Sequence, residues 1–244
     1  IITMVVGQPL RVMMTSKYVR WGSDERDILF DNPLIRLNKN LYAGYRWPKI
    51  GSKETKEIFL HISNNEQTID SILHKNGRFA LYIADSPRYF ISAVHTDLNR
   101  GRREINFSSA FHRDLAQVII CSDLFYWYWR VTEGEYSLTQ KCLYNMPIPS
   151  EENIMKYKNE IKHIAKRLRT RKVMESCYKP KENIGTKDNY KFDKNPKLME
   201  SLNDLMHKIF AIKKRYYFHA HKAHSIAEFN QILETGIRPP SLTH

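Results

Sequence analysis

The hydrophobic positions in the first third of the chain predict short strands and helices. Residues 2–6 and 10–15 are apolar or alternate around a Gly-Gln-Pro turn, which predicts two strands joined by that turn. Ser23 precedes a short acidic and apolar stretch, so we expect it to be a helix N-cap. Residues 33–50 are irregular, whereas residues 52–73 place Ile and Leu at helical spacing with a polar break. They predict one interrupted helix or two short helices.

The middle of the chain changes to β-prone runs and then to a dense apolar segment. Residues 79–83 and 89–94 form a strand, turn, strand pattern, and residues 104–108 add a third strand. Residues 115–131 are long and apolar enough to predict one helix that is buried on most sides. The five aromatic residues 125–129 lie in this helix, so we expect them to pack in the core rather than to stack on bases.

The last third predicts helices separated by a polar segment. Apolar and basic residues fall on different faces at spacings of three and four from residue 150 onwards, which predicts one long helix. We therefore expect the α+β class, with a small mixed or antiparallel sheet packed on a central apolar helix, a long helix and a C-terminal helical appendage. The expected units are a mixed domain (1–149), the long basic helix (150–177), a linker (178–196) and the appendage (197–244) with helices at 197–217 and 225–234.

The charge of the chain points to an anionic partner. Its 39 Lys and Arg outnumber 26 Asp and Glu, which gives a formal net charge of +13 in 244 residues. A surplus of this size is typical of proteins that bind polyanions. Alternatively, the positive charge only reflects the codon bias of the genome. Clustering of the basic residues on one surface would favour the anionic partner over codon bias.

The chain has no sequence signal for secretion or membrane insertion. The sequence contains no uncharged run of about 18 apolar residues, and no basic region precedes the apolar start at Ile1. The three cysteines, Cys121, Cys142 and Cys177, are widely spaced and form no C-x-x-C pair. We expect a cytoplasmic protein, and we expect this sequence to be part of a longer chain.

The sequence lacks the motifs of several catalytic sites. Its nine glycines form no cluster of the kind that binds S-adenosylmethionine. The nearest match to the Asp/Asn-Pro-Pro-aromatic motif of adenine methyltransferases is DNPL at 31–34, which lacks the second proline and the ring, so we interpret it as a turn. His219, His221 and His224 are spaced by two and three, which favours a surface cluster over a metal site. We expect no catalytic residue, metal or cofactor in this chain.

Basic residues gather around the predicted strands. Arg100, Arg102 and Arg103 flank Gly101, so a loop there could place guanidinium groups on phosphates or on guanine. Solvated loop charge is the alternative. The same choice applies to the basic face of the long helix, which carries Lys158, Lys162, Lys166, Arg169 and Lys172. Further candidates for DNA binding are Arg88, Lys75, Arg78, Lys17 and Arg20.

Four segments resemble one protein family over nearly the whole chain. They are Trp21 with ER at 25–26 and LF at 29–30, then DSPRYFISA at 85–93, SDLFYWYWR at 122–130 and NMPIP at 145–149. In this order and spacing they resemble the C-terminal target-recognition region of type II and type IIG adenine-specific DNA methyltransferases. The family often has Leu-Asn-Ser-Ser before its apolar helix, where this chain has Cys121-Ser122-Asp123.

The resemblance implies a restriction-modification protein. In it this region would bind duplex DNA and read a short site, while an upstream domain would bind S-adenosylmethionine and methylate adenine at N6; some members also cut DNA. Because recognition regions diverge to read different sites, we expect base-reading residues in loops. That adds Arg46 and Lys49 in the loop 42–53 to the candidates.

Two other functions remain open at this point. Charge and aromatic residues would also suit an RNA-binding accessory domain. Alternatively, the chain could be a module that docks on a partner subunit through its apolar helices, with the charge incidental.

Overall fold

The computed structural model describes residues 12–18, 20–31, 33–38, 41, 47–84, 90–96, 102–133, 137–179, 189–190 and 192–238. It confirms the α+β class, with small antiparallel sheets and many helices. Within these residues, no helix combines the length and the apolar character needed to cross a bilayer.

The first sheet joins β1 (Val12–Thr15) to β2 (Ile35–Asn38). The sequence predicted a strand ending at Thr15, but its described partner comes from the segment predicted to be irregular; residues 2–6 lie outside the described residues. Two short 3₁₀ helices, Ser23–Glu25 and Asp27–Asp31, connect the two strands. The N-cap of the first is Gly22 and not Ser23 as predicted, because the backbone is extended at Gly22 and already helical at Ser23; the Gly22 amide donates to the carboxylate of Glu25.

Between residues 52 and 73 the sequence predicted one interrupted helix or two short helices, and the structure has two. They are α1 (Lys53–Ser63) and α2 (Ile69–Ile72), and the polar break between them is the predicted one. The Ser52 hydroxyl begins α1 by accepting a hydrogen bond from the Thr55 amide.

The second sheet has β3 (Phe79–Ile83) at its centre. It pairs with β4 (Ala93–Val94) on one side and with β5 (Arg103–Phe107) on the other, both antiparallel. The predicted strands are therefore confirmed, although β4 is shorter than expected and the turn 85–89 lies outside the described residues. At the start of β3, a Cβ on Gly77 would lie 2.3 Å from the Phe107 carbonyl oxygen, so this close approach requires glycine.

The central apolar segment is two helices and not one. They are α3 (Ala110–Ile120) and α4 (Asp123–Thr132). Ser122 breaks the helix because its backbone is extended and its hydroxyl accepts from the Phe125 amide, which makes it the N-cap of α4. The expected core position of residues 125–129 is confirmed, since all five side chains are buried.

The long helix predicted over residues 150–177 is three helices in the structure. After α5 (Gln140–Tyr144) come α6 (Glu151–Lys156), α7 (Lys158–Leu168) and α8 (Arg171–Cys177). The division between α6 and α7 lies at Tyr157, whose backbone leaves the helical region. At the second break the Thr170 hydroxyl donates to the Arg167 carbonyl. Isoleucine spacing continues across Tyr157, so the hydrophobic pattern alone could not reveal that break.

The C-terminal elements complete the core. Part of the predicted linker is ordered as a pair of two-residue strands, β6 (Tyr178–Lys179) and β7 (Asn189–Tyr190), followed by a 3₁₀ helix, Phe192–Lys194. Helix α9 (Pro196–Ile209) ends earlier than predicted because Ala211 adopts a positive φ of 51°. Its leucines share one core with α3, α4 and α7. A 3₁₀ helix (Phe218–Lys222) and α10 (Ile226–Thr235), which matches the predicted helix 225–234, form a small second cluster.

Candidate nucleic-acid interface

The structure describes seven of the ten candidate DNA-binding residues and places them in different parts of the fold. Arg46, Arg88 and Arg100 lie outside the described residues. Lys75 and Arg78 are exposed in the turn before β3, whereas Arg102 and Arg103 lie at the far end of the same sheet. Five residues of strand separate these two ends, about 15 Å. The other candidates are Lys17, Arg20 and Lys49, of which Lys17 and Lys49 lie near the start of α1.

Arg102 and Arg103 are held by the protein itself. Arg102 is only 8% exposed and its Nη1 lies 3.4 Å from the Ser92 hydroxyl. Arg103 is half-buried and donates to the Leu138 carbonyl at 3.0 Å. The expectation of an exposed arginine loop therefore does not describe Arg102, because the start of β5 draws it into the protein.

Lys17, Arg20 and Lys49 are half-buried. The Nζ of Lys49 donates to the Glu133 carbonyl at 3.2 Å, just after the end of α4, where a cation is favourable. The Nζ of Lys17 lies 4.5 Å from the centre of the Phe229 ring. Arg20 also makes a contact within the fold.

Arg113, which was not among the candidates from the sequence, lies beside Arg78. The guanidinium of Arg78 lies 5.1 Å from the centre of the half-buried Phe79 ring, and that of Arg113 lies 5.3 Å from the same ring. Arg113 also donates to Oδ1 of Asp114 at 2.9 Å, and Arg169 pairs with the same oxygen. One carboxylate therefore serves two guanidinium groups.

A second half-buried ring continues this group onto α7. The Nζ atoms of Lys158 and Lys162 lie 5.3 Å and 6.0 Å from the centre of the Phe111 ring, near the start of α3. Lys158 and Lys162 occupy the basic face that the sequence analysis noted, and the packing of α3 on α7 brings that face beside Arg113. We call the resulting patch the α3–α7 basic surface; it comprises Arg78, Arg113, Lys158, Lys162 and Arg169.

His95 lies near Arg113 and Arg169. Its Nε2 is 2.9 Å from Oε1 of Gln117. Burial, followed by the positive charge of Arg113 and, more weakly, that of Arg169, lowers the pKa of His95 to about 4.

Arg130, at the end of the aromatic run, is buried and donates to the Tyr18 hydroxyl. One expectation about other polar residues is wrong. His219 and His221 were expected on the surface, but both are buried because the 3₁₀ helix Phe218–Lys222 packs on α4. In the part of the chain that the structure describes, no three His, Cys, Asp or Glu side chains are grouped to hold a metal.

The buried polar groups at the start of α4 form an ion cluster. Asp123 is fully buried; its Oδ1 lies 2.6 Å from the Nζ of Lys222, and its Oδ2 contacts both Arg238 and Asn203. Burial alone would raise the pKa of the Asp123 carboxyl, but Arg238 and Lys222 outweigh it and hold the pKa well below its usual range. The side chains satisfy one another, so we assign this cluster a structural role.

Sequence analysis missed Arg113 because its role depends on tertiary contacts. It is one arginine at the start of an apolar helix, and only the packing of Phe79 and Arg169 beside it brings it into the group. Comparison of the chain with models of protein families, with curated proteins and with solved structures finds no match.

Proposed function

We propose that this protein binds duplex DNA through the α3–α7 basic surface, and that it serves as the target-recognition part of an adenine-specific DNA methyltransferase. One observation carries the DNA-binding proposal: four cations lie close to two half-buried aromatic rings on adjoining elements. Arg78 and Arg113 lie over the Phe79 ring, and Lys158 and Lys162 lie over the Phe111 ring.

The chemistry of this surface suits a phosphate backbone. Its cations lie on a sheet turn and two packed helices, so their relative positions are fixed before a ligand arrives. One acidic group, Asp114, pairs with two of them and offsets part of their positive charge. Cations at fixed spacing gain affinity by releasing counterions from a nucleic acid.

The methyltransferase part of the proposal rests on the resemblance of the four sequence segments. On this proposal S-adenosylmethionine and the catalytic residues belong to an upstream domain, and the parent protein methylates adenine and could also cleave DNA. Sequencing the DNA that encodes the residues before Ile1 tests it, since a glycine-rich cofactor motif and an Asn-Pro-Pro-aromatic motif are expected there.

The DNA-binding part is tested by fluorescence anisotropy with a labelled duplex of about 25 base pairs at several salt concentrations. The triple variant Arg78→Ala, Lys158→Ala and Lys162→Ala should bind at least about tenfold more weakly at about 0.1 M salt, with a flatter log-log salt plot. The matched control removes three exposed cations on and near α1, namely Lys53, Lys213 and Lys214, and should bind nearly as the wild type does.

Three outcomes would count against duplex DNA binding. Equal losses in the two triple variants would mean that net charge, and not this surface, determines affinity. Tighter binding of a matched RNA would favour the RNA-binding accessory domain. A flat salt plot for the wild-type protein would favour a module that docks on a protein partner.

A further inference from the structure

A second candidate site lies away from the α3–α7 basic surface. It is a pocket of about 120 Å³ between the start of α1, the C-terminal 3₁₀ helix and α10. An apolar cavity of about 150 Å³ accommodates a benzene molecule. The pocket is somewhat smaller than that cavity, and it is open to solvent, so a six-membered ring can enter it with one edge remaining at the opening.

The floor of the pocket is aromatic. Trp127, Tyr216, His221 and Phe229 line it, and all four are buried. The Tyr216 hydroxyl and Nε2 of His221 are 2.8 Å apart and satisfy each other. The indole Nε1 of Trp127 is buried and has no hydrogen-bond acceptor within the described part of the chain. A buried donor of this kind normally has a partner, such as a water or a ligand acceptor.

The rim of the pocket is cationic. Lys17 and Lys49 line it and are half-buried, so they lie nearer to solvent than the aromatic floor. The first turn of α1 completes the rim with Ser52 and Thr55 and contributes the positive end of an 11-residue helix.

Gly51 brings the rim together. A Cβ at this position would lie 2.2 Å from Cβ of Lys17 and 2.4 Å from its amide nitrogen. Lys17 lies two residues after the end of β1. This segment can lie directly against the start of α1 because residue 51 is glycine.

Lys17 is the cation of the pocket on which the argument depends. The described lining residues include no acidic residue. No described carboxylate lies within 4.0 Å of the Lys17 ammonium group, which donates a long hydrogen bond of 3.4 Å to Oδ1 of Asn230. Burial lowers the pKa of Lys17, which indicates that its ammonium group has lost hydration without gaining a compensating charge.

We propose that this pocket binds a small organic anion, whose planar six-membered ring rests on the aromatic floor and whose acidic group lies between Lys17 and the first turn of α1. The Trp127 N–H would donate to an acceptor on the ring. Two sources can supply such a ligand: a pyrimidine nucleotide, free or turned out of a nucleic acid strand, and an aromatic carboxylic acid. The binding site itself does not depend on the proposed DNA-binding function.

Titration of the ¹⁵N-labelled protein tests this inference through the indole N–H resonances of its four tryptophans. The Trp127 resonance is assigned with Trp127→Phe or, if that variant does not fold, by its proximity to the Phe218 ring, whose centre is 5.3 Å away. Thymidine 5′-monophosphate and benzoate are the two probes. At least one should shift the Trp127 resonance in a saturable way, and uncharged thymidine should bind more weakly than its monophosphate.

Matched variants separate the rim from general charge. Lys17→Met should weaken binding of the effective probe at least about fivefold, whereas Lys156→Met, which removes an exposed cation on α6, should leave it unchanged. A preference for the monophosphate assigns the pocket to nucleotides, and a preference for benzoate assigns it to aromatic acids. A shift with a duplex that carries an unpaired thymine, but not with its fully paired counterpart, identifies a base from a strand.

The inference is overturned if neither probe moves the Trp127 resonance at concentrations up to about 10 mM, or if Lys17→Met binds both probes as the wild type does. This result is independent of duplex affinity, because the proposed function is tested with variants of the α3–α7 basic surface and those residues do not line the pocket.

Discussion

The ammonium group of Lys222 lies 2.6 Å from Oδ1 of Asp123, and both side chains are almost fully removed from solvent. The two residues are 99 positions apart in the chain. Asp123 begins α4 and Lys222 ends the 3₁₀ helix that packs on it, so this pair joins the aromatic core to the C-terminal elements.

Replacing Asp123 with Asn should destabilise the protein by about 3–5 kcal/mol, because it leaves the charges of Lys222 and Arg238 buried without their counterion. Urea unfolding followed by tryptophan fluorescence measures the change. Asp70→Asn, at an exposed carboxylate in α2, is the control and should change stability little. The double variant with Lys222→Met should be more stable than the sum of the single changes implies; additive losses would contradict the pairing.

Stability should fall as the pH drops from about 6.5 towards 5. Burial, opposed in part by Asp123, lowers the pKa of His219 to about 4, and burial lowers the pKa of His221 to about 3. The lowered pKa of His95 contributes in the same direction. Below the ordinary value of 6.5 the unfolded chain takes up protons that the folded chain excludes, so folding is disfavoured by about 1.4 kcal/mol per pH unit for each histidine. The depressed pKa of Asp123 adds a further loss only below about pH 4.

Urea midpoints at a series of pH values between about 7.5 and 5 measure this dependence. His219→Gln should reduce the slope, whereas His163→Gln, at an exposed position on α7, should not. A midpoint that stays constant over this range would contradict the burial of the two histidines in their neutral form.

Replacing Asp114 with Asn should tighten duplex binding about three- to tenfold at low salt. The change removes the carboxylate that occupies Arg113 and Arg169 and adds one positive charge to the α3–α7 basic surface. Anisotropy titrations measure the affinity. Glu66→Gln makes the same change of charge at an exposed site between α1 and α2 and should have a much smaller effect. Equal or weaker binding by Asp114→Asn would argue against contact of this surface with DNA.

Single alanine variants of Arg102 and Arg78 should have different effects, one on the stability of the protein and the other on its affinity for DNA. Arg102→Ala should lower stability by about 1–3 kcal/mol, since it removes a buried side chain that contacts Ser92, and should leave the affinity of the folded protein unchanged. Arg78→Ala should weaken duplex binding without changing stability, because its side chain is exposed. Joint replacement of Arg100, Arg102 and Arg103 would mix the two effects, so single variants are required. A loss of duplex affinity in a well-folded Arg102→Ala variant would indicate that Arg102 does contact DNA.

The sequence by itself determined the fold class, the strands β3 and β5, the pair α1 and α2, and the burial of residues 125–129. These features depend on local hydrophobic period and on aromatic content, which are written in contiguous residues. It also determined the excess of positive charge, and hence the class of partner that we propose.

The tertiary structure alone decided where that charge lies and where the helices stop. The hydroxyl of Ser122 divides the apolar helix by capping a new one, while hydrophobic periodicity remains the same on both sides. In the folded chain Arg102 is buried. Arg113 belongs to the basic surface because Phe79 and Arg169, which are distant in sequence, pack beside it. Whether a cation faces solvent or the protein depends on which side chains pack beside it, and that is a property of the folded chain.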